Sequence, residues 1–224
     1  MKGTSQSTRK NIQNKRAKTR HTSGSRGLHD TMSIYNSISG FDLNIISVPE
    51  SGTTYGEVSI QGIRALYEKF KVYAPPIKCP QNRRKFYDLG SGVGKVVVGM
   101  ATLCPEFDCY GIEIIPERAR LAVHAVGKLH SASLQRRIHL MGQSFLDPSV
   151  VLREASWVFI SNLCFDPETQ ASIAQRLQEL EPGAIIICSR QLALSQTQFA
   201  TLETACIIPM SWSNSSSCWI YRRI

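Results

Sequence analysis

The sequence predicts an α/β domain built on a mostly parallel β-sheet with helices on both faces. Three observations carry that prediction. From residue 86 onward, short apolar runs alternate with amphipathic stretches of about ten or more residues, the order expected of right-handed β-α-β units. A glycine turn, Asp88-Leu89-Gly90-Ser91-Gly92-Val93-Gly94, follows the first such run and opens the first helical stretch. Finally, 42% hydrophobic residues in a chain of 224 suffice for one ordinary core plus an appendage, and exclude a wholly disordered or fibrous chain. No run of about 18 apolar residues occurs, so no membrane span is expected.

Residues 1–30 hold eight Lys and Arg against Asp30 alone, which concentrates +7 of the formal +9 in one segment. This segment is rich in Ser and Thr and lacks hydrophobic periodicity, so it is expected to be a disordered basic tail. A nuclear address and a phosphate-binding arm can be the same residues. Residues 31–85 form a lead-in: an irregular stretch from Met32 to about Ser51, then an amphipathic helix within Glu57–Tyr73. In that helix Ile63, Leu66, Tyr67, Phe70 and Tyr73 recur at helical spacing, and Pro75-Pro76 stops it. A basic loop, Lys78–Lys85, leads into the core, residues 86–224.

Within the core, Phe86–Leu89 is expected as a strand, Val96–Leu103 as helix, Cys109–Ile114 as strand, and Pro116–Leu129 as a helix with proline in its first turn. Arg137–Met141 and Trp157–Ile160 are further strands, Pro167–Leu180 a helix, and Ala184–Cys188 a strand. Two more strands are expected around Cys206–Met210 and Cys218–Arg222. The seven cysteines contain no Cys-x-x-Cys pair and several lie in apolar runs, as small core residues do; Cys104 and Cys164 are taken in that way. Five histidines show no zinc spacing, so no metal site is expected, and His124 and His130 are placed on the surface. An h-region is missing from the first thirty residues, consistent with a protein kept in a reducing compartment.

The glycine turn carries the chemistry. Its spacing is Gly-x-Gly-x-Gly, with Asp88 just before it. A carboxylate there repels a pyrophosphate but suits a ligand bearing ammonium or sulfonium charge, and S-adenosylmethionine has both. Glu113 ends the next strand, 23 residues after Gly90, where a carboxylate can accept hydrogen bonds from both hydroxyls of a ribose. A phosphate-binding loop closed by Gly-Lys-Ser or Gly-Lys-Thr is ruled out by the sequence. A dehydrogenase is less consistent with Asp88 than methyl transfer is.

The core resembles the class I, seven-stranded methyltransferases that use S-adenosylmethionine. Three segments are similar to one family among them, the non-SET histone lysine methyltransferases named for disruption of telomeric silencing. These are Tyr55-Gly56-Glu57-Val58-Ser59, Asp88 through Val97, and Val158 through Glu168 with its Asn162-Leu163-Cys164-Phe165-Asp166-Pro167-Glu168 end. The resemblance runs from about residue 45 to the C-terminus, and the short chain is similar to compact protozoan members. It implies that Tyr55 and Glu57 close a loop over the methionine part of the cofactor, and that Asp88, Gly90 and Gly92 line it; Ser91 and Gly94 are counted with the same cofactor-binding turn, Gly94 for the close strand-to-helix packing it permits. Glu113 would take the ribose, with Ser144 and Phe145 flanking the adenine. Departures from the family are Ser144 in place of Asp, Ser161 in place of Asn, and Trp219 where a Tyr follows the Trp at position 212.

The activity implied is methylation of a lysine on the globular core of histone three, in nucleosomes, by a nuclear enzyme. An acceptor lysine must be neutral, and an apolar channel disfavours its ammonium form. Phe159, Phe165, Trp212 and Trp219 are expected as channel walls, with Ser161 or Asn162 as the polar edge near the amine. Nucleic-acid base methyltransferases carry a Pro-Pro-aromatic tetrad after strand four, which this chain lacks. Methylation of RNA or of another protein, and a non-catalytic chromatin-binding role suggested by Ser144 and Ser161, stay open from the sequence.

Overall fold

The computed structural model describes residues 27–41, 43, 55–74 and 83–224. The expected tail falls mainly outside these residues, as do the Pro75-Pro76 stop and Cys79. Packed structure nevertheless begins before the expected boundary at residue 30. Residues 27–32 are helical (α1), with Leu28 and Met32 buried, and a 3-10 turn over Ser33–Ser37 follows with Tyr35 buried. The stretch expected to be irregular therefore opens as an anchored wall.

Helix α2, Ile60–Tyr73, is capped by Ser59, whose hydroxyl accepts from the Gly62 amide at 3.0 Å, and it buries Ile63, Leu66 and Phe70 along one face. The core then follows the expected order: β1 (Arg84–Leu89), α3 (Lys95–Leu103), β2 (Phe107–Ile112), α4 (Pro116–Gly127), a short α5 (Ala132–Gln135), β3 (Ile138–Met141), β4 (Ala155–Ile160), α6 (Pro167–Arg176), β5 (Ile185–Cys188), β6 (Phe199–Ile208) and β7 (Ser216–Arg223). Pro167 occupies the first turn of α6, and the Asp166 side chain accepts from the Thr169 amide at 2.8 Å, a proline and cap pair that starts the helix where the sequence indicates.

The strands form one seven-stranded sheet in the order β3-β2-β1-β4-β5-β7-β6, with β1 to β5 parallel and β7 antiparallel to both its neighbours. The central strands β1, β4 and β5 are buried on both faces over most of their length, while the edge strand β3 exposes His139. Phe86, Phe107, Cys109, Trp157, Phe159, Ile185 and Ile187 face one cluster with α2 and α3, while Tyr87, Leu89, Ile112, Val158, Ile160 and Ile186 face a second with α6. The chain winds from β1 one way to β2 and β3, and the other way to β4 and β5. The crevice beyond the β1 and β4 ends is therefore the switch point at which open α/β sheets bind ligands.

Several boundaries differ from expectation. Strand β2 begins two residues earlier and ends at Ile112, which leaves Glu113 just past the strand rather than in it. The last turn expected of α4 is absent, and the C-terminal part of the expected α6 tightens to a 3-10 turn, Leu177–Glu179. Strand β6 starts at Phe199 rather than Cys206, because register shifts around Glu203 and a positive φ of 57° at Ala205 break the alternation that would reveal a strand. None of the described helices is long and apolar enough to cross a membrane.

Gly62 lies against the loop after β6. A Cβ there would meet the Pro209 carbonyl oxygen at 2.0 Å, whereas one at Gly127, the last residue of α4, would meet nothing within 4 Å. Gly62→Ala is expected to lower unfolding free energy in urea by about 1–3 kcal/mol through overpacking. Gly127→Ala should leave it unchanged or raise it by at most about 1 kcal/mol.

Candidate active site

A cavity of about 360 Å³ opens at the switch point. Its floor is the turn Gly90-Ser91-Gly92, its sides include Glu113, Phe145, Phe159, Ser161 and Phe165, and its roof is the segment Tyr55–Val58 with Trp212. The elements explain the meeting. Strand β1 delivers the glycine turn, β2 delivers Glu113, and β4 delivers Ser161 and the loop to Phe165, all at the same end of the parallel sheet.

Glycine is required at two points of the turn by the backbone itself. Gly92 has φ +55° and a Cβ on it would lie 2.6 Å from the Tyr55 ring, so the roof packs directly onto the turn. Gly94 has φ +82° as the residue before α3, and its neighbours are Ala122 and Tyr35 rather than the cavity. Gly94, expected to permit close strand-to-helix packing and counted with the cofactor-binding turn, lets α3 and α4 approach.

The charged groups around the cavity form a connected set. Glu113 accepts from the Gly92 amide at 2.7 Å and from the Ile115 amide at 2.8 Å, which fixes the carboxylate at the start of α4. Its burial holds its pKa above the usual carboxylate range, against the pull of those two amides and of Arg118. Asp88 lies behind the turn, almost wholly buried; burial first, then the Glu113 charge, push it up to about 8. The Tyr55 hydroxyl donates to Glu57 Oε1 at 2.9 Å, and Glu57 is ion-paired to Lys95. The Arg118 guanidinium stacks 4.3 Å from the Tyr55 ring centre. Burial and the neighbouring Glu57 raise the Tyr55 pKa, keeping its phenol a neutral donor. The Tyr35 hydroxyl is buried with no hydrogen-bond partner among the described residues, and the Lys95 ammonium lies 5.6 Å from its ring centre.

The roof is held by the far end of the chain. Val58 forms a lone antiparallel bridge with Met210, the Ser211 amide donates to the Glu57 carbonyl at 2.7 Å, and the Ser211 hydroxyl accepts from the Glu57 amide at 3.1 Å. Trp212 then covers Gly56, where a Cβ would come within 2.1 Å of the indole.

The structure thus brings Tyr55, Glu57, Gly90, Ser91, Gly92, Glu113, Phe145, Phe159, Ser161, Phe165 and Trp212 around one cavity. Five expected residues lie off the cavity lining. Asn162 is fully buried: its amide nitrogen donates to Gln170 Oε1 and the Arg190 carbonyl, and its oxygen accepts from the Arg190 amide. All its bonding capacity goes into holding the loop from behind, so it is not a polar edge for a substrate. Trp219 sits in β7 opposite Cys188 and packs into the α6-side core. Ser144 accepts from the Leu146 amide within its own turn, leaving Phe145 alone to face inward. Gly94, against Ala122, and Asp88, buried behind the turn, are the other two. Cys164, expected to be buried, is exposed and borders the cavity, while Cys104 is buried as expected. Lys95 and Arg118 were missed as cavity residues. A lysine in the first turn of a helix is opposed by the helix dipole unless an acid pairs with it, and that was the available signal for Lys95.

Comparison with known proteins adds the following. A family model described as "Histone methylation protein DOT1" matches residues 47–216. A curated relative from Drosophila melanogaster, "Histone-lysine N-methyltransferase, H3 lysine-79 specific", is 25% identical over 63% of this chain, and one of the same name from Caenorhabditis elegans is 24% identical over 76%. The aligned regions span only 8% and 18% of those relatives' own lengths. Among solved structures, the rRNA methyltransferase aviRa from Streptomyces viridochromogenes matches with a TM-score of 0.54 at 12% identity, covering 83% of this chain and 92% of that one. The glycopeptide N-methyltransferase MtfA, complexed with S-adenosyl-L-methionine, matches with a TM-score of 0.53 at 11% identity, covering 73% and 94%. These structures establish the class I methyltransferase fold and nothing finer.

Asp88 ionises near 4 when unfolded and near 8 when folded, so every pH step between those values favours the unfolded chain. Stability from this group is full at low pH and lost as pH rises from about 4 to about 8. Asp88→Asn removes the titration. In ligand-free protein the melting-temperature difference between Asp88→Asn and wild type should therefore grow across that window; parallel profiles would contradict the assignment.

Proposed function

We propose that this chain, which belongs to the DOT1 family of histone methylation proteins, is an S-adenosylmethionine-dependent lysine methyltransferase acting on the globular core of histone H3 in nucleosomes. The supporting observation is that two carboxylates, those of Glu113 and Glu57, line one apolar-walled cavity inside the segment matched by the family, with a third, Asp88, buried behind its floor.

The residues fit the cofactor. Asp88 is a buried carboxylate whose pKa is raised by burial and by another anion, the condition that a cationic ligand relieves. The cavity holds Lys95 beside Glu57, so acidic and basic groups are both present for the two charges of an amino-acid end. Phe145 offers a ring for an adenine and Glu113 a carboxylate for a ribose. When bound, the cofactor supplies a methyl group already activated on sulfonium. The chain's contribution is to position and to dry the site: Phe159, Phe165 and Trp212 form apolar walls that disfavour the ammonium form of an incoming lysine, and Ser161 is the polar group beside them. A chromatin substrate also fits a nuclear protein with a net charge of +9.

Calorimetry with S-adenosylmethionine should show one site, weakened about 10- to 100-fold by Asp88→Ala or Glu113→Ala, as expected for losing a charged hydrogen bond of about 1.5–3 kcal/mol. Tritiated methyl transfer should label histone H3 in nucleosomes more than free histone. Absence of cofactor binding, or label confined to RNA, would overturn the proposal.

The basic residues ahead of the packed region are assigned to nucleosomal DNA. Deleting residues 1–26 should weaken nucleosome binding most at low salt and flatten its salt dependence while leaving cofactor affinity intact. Equal affinity at low salt would refute that assignment.

A further inference from the structure

The charge of the folded domain is unevenly distributed. Between Arg118 and Leu146 the sequence contains five Lys and Arg and no Asp or Glu. The rest of residues 31–224 holds 13 Lys and Arg against 16 Asp and Glu, so the sequence after residue 30 is slightly acidic outside this stretch. The stretch comprises most of α4, all of α5 and β3, and β3 is the edge strand of the sheet.

Two of the five bases are inward. Arg118 lines the cavity, and Arg137 donates to the carbonyls of Cys104 and Phe107. The others, Arg120, Lys128 and Arg136, are exposed, as are His124, His130 and His139 and the hydroxyl-bearing Ser131 and Ser133. The contacts that Arg120 and Lys128 make are loose. Arg120 is 75% exposed and reaches Glu117 only at 3.3 Å, and Lys128 donates to Ser37 at 3.3 Å. Exposed pairs of this kind contribute about 0–1 kcal/mol and are readily exchanged for another anion.

Position gives this face its meaning. Helix α4 starts at the cavity, where Ile114 at its entrance is 49% exposed, and runs away from it for about 18 Å at 1.5 Å per residue. Arg120, His124 and Lys128 follow one another at four-residue spacing, hence along one face of the helix. The Lys128–Ser37 contact ties the 3-10 turn Ser33–Ser37 to this same flank.

We propose that the exposed face of α4, α5 and β3 is a second phosphate-binding surface that grips duplex DNA beside the cavity. This rests on the nucleosome reading above and deepens it. The three cations present donors only and the hydroxyls can donate as well, matching the acceptors of a phosphate backbone and offering no sequence readout.

The test is the full chain carrying Arg120→Glu, Lys128→Glu and Arg136→Glu together, titrated with a labelled duplex and with nucleosomes across a salt series. Duplex affinity should fall at least tenfold at low salt, and the slope of log K against log salt should shrink by up to about 3, near 0.9 per lost contact. Arg153→Glu, an exposed site outside the stretch, should leave the slope unchanged. The melting temperature and cofactor affinity of the triple variant should match wild type, which separates this surface from the cavity. An unchanged slope would overturn the proposal, as would a loss seen with single-stranded RNA but not with duplex, or with nucleosomes but not with free DNA.

Discussion

Keeping two carboxylates buried at the tips of adjacent strands is the constraint on which this structure depends. Asp88 sits across from Gly111 in the β1–β2 register, and Glu113 follows two residues later. Like charges in a low-dielectric interior repel and are expensive to desolvate. The surroundings answer for the two groups differently. Glu113 is met by amides from the glycine turn and from the start of α4, whereas Asp88 is left to hold its proton to near neutrality. The turn must be made of glycines because only then does the Gly92 amide reach Glu113 while the Tyr55 ring lies on its other side. Sheet order, helix start and roof all converge on that pair.

A second dependency runs from the roof to the loop after β6. Glu57, Lys95, Tyr55 and Arg118 connect the two helices that start at the cavity to the segment that covers it. The same segment is stitched by backbone hydrogen bonds to residues 209–211, which lead to Trp212. Acidic groups on one side and an aromatic rim on the other are therefore parts of one bonded unit, and the walls cannot shift independently of the charges.

How much of this was legible in the sequence varied with the range of the interaction involved. The β-α-β alternation, Pro116 and Pro167 in first turns, and the glycine turn with Asp88 and Glu113 are local signals, and the fold and cavity floor follow from them. Asn162 and Trp219 were misjudged because a motif gives identity but not direction. One points its amide away into Gln170 and Arg190, and the other alternates to the far face of β7. Strand β6 was underestimated because its bulged edge does not alternate. Lys95 and Arg118 were overlooked because their partners, Glu57 and Tyr55, lie 38 and 63 residues away in the chain. The family resemblance, by contrast, was carried by three separated segments, and the conjunction was specific enough to survive departures at Ser144 and Ser161.

The pairing of Glu57 with Ser211 spans 154 residues. Closing so long a loop is entropically unfavourable until the intervening sheet has formed, so the roof is a late event in folding. On the ribosome, the glycine turn, Glu113 and the β4 loop all emerge before the residues that complete the cover. A nascent chain can therefore present an assembled but open cavity, whose enclosure waits for the last strand pair.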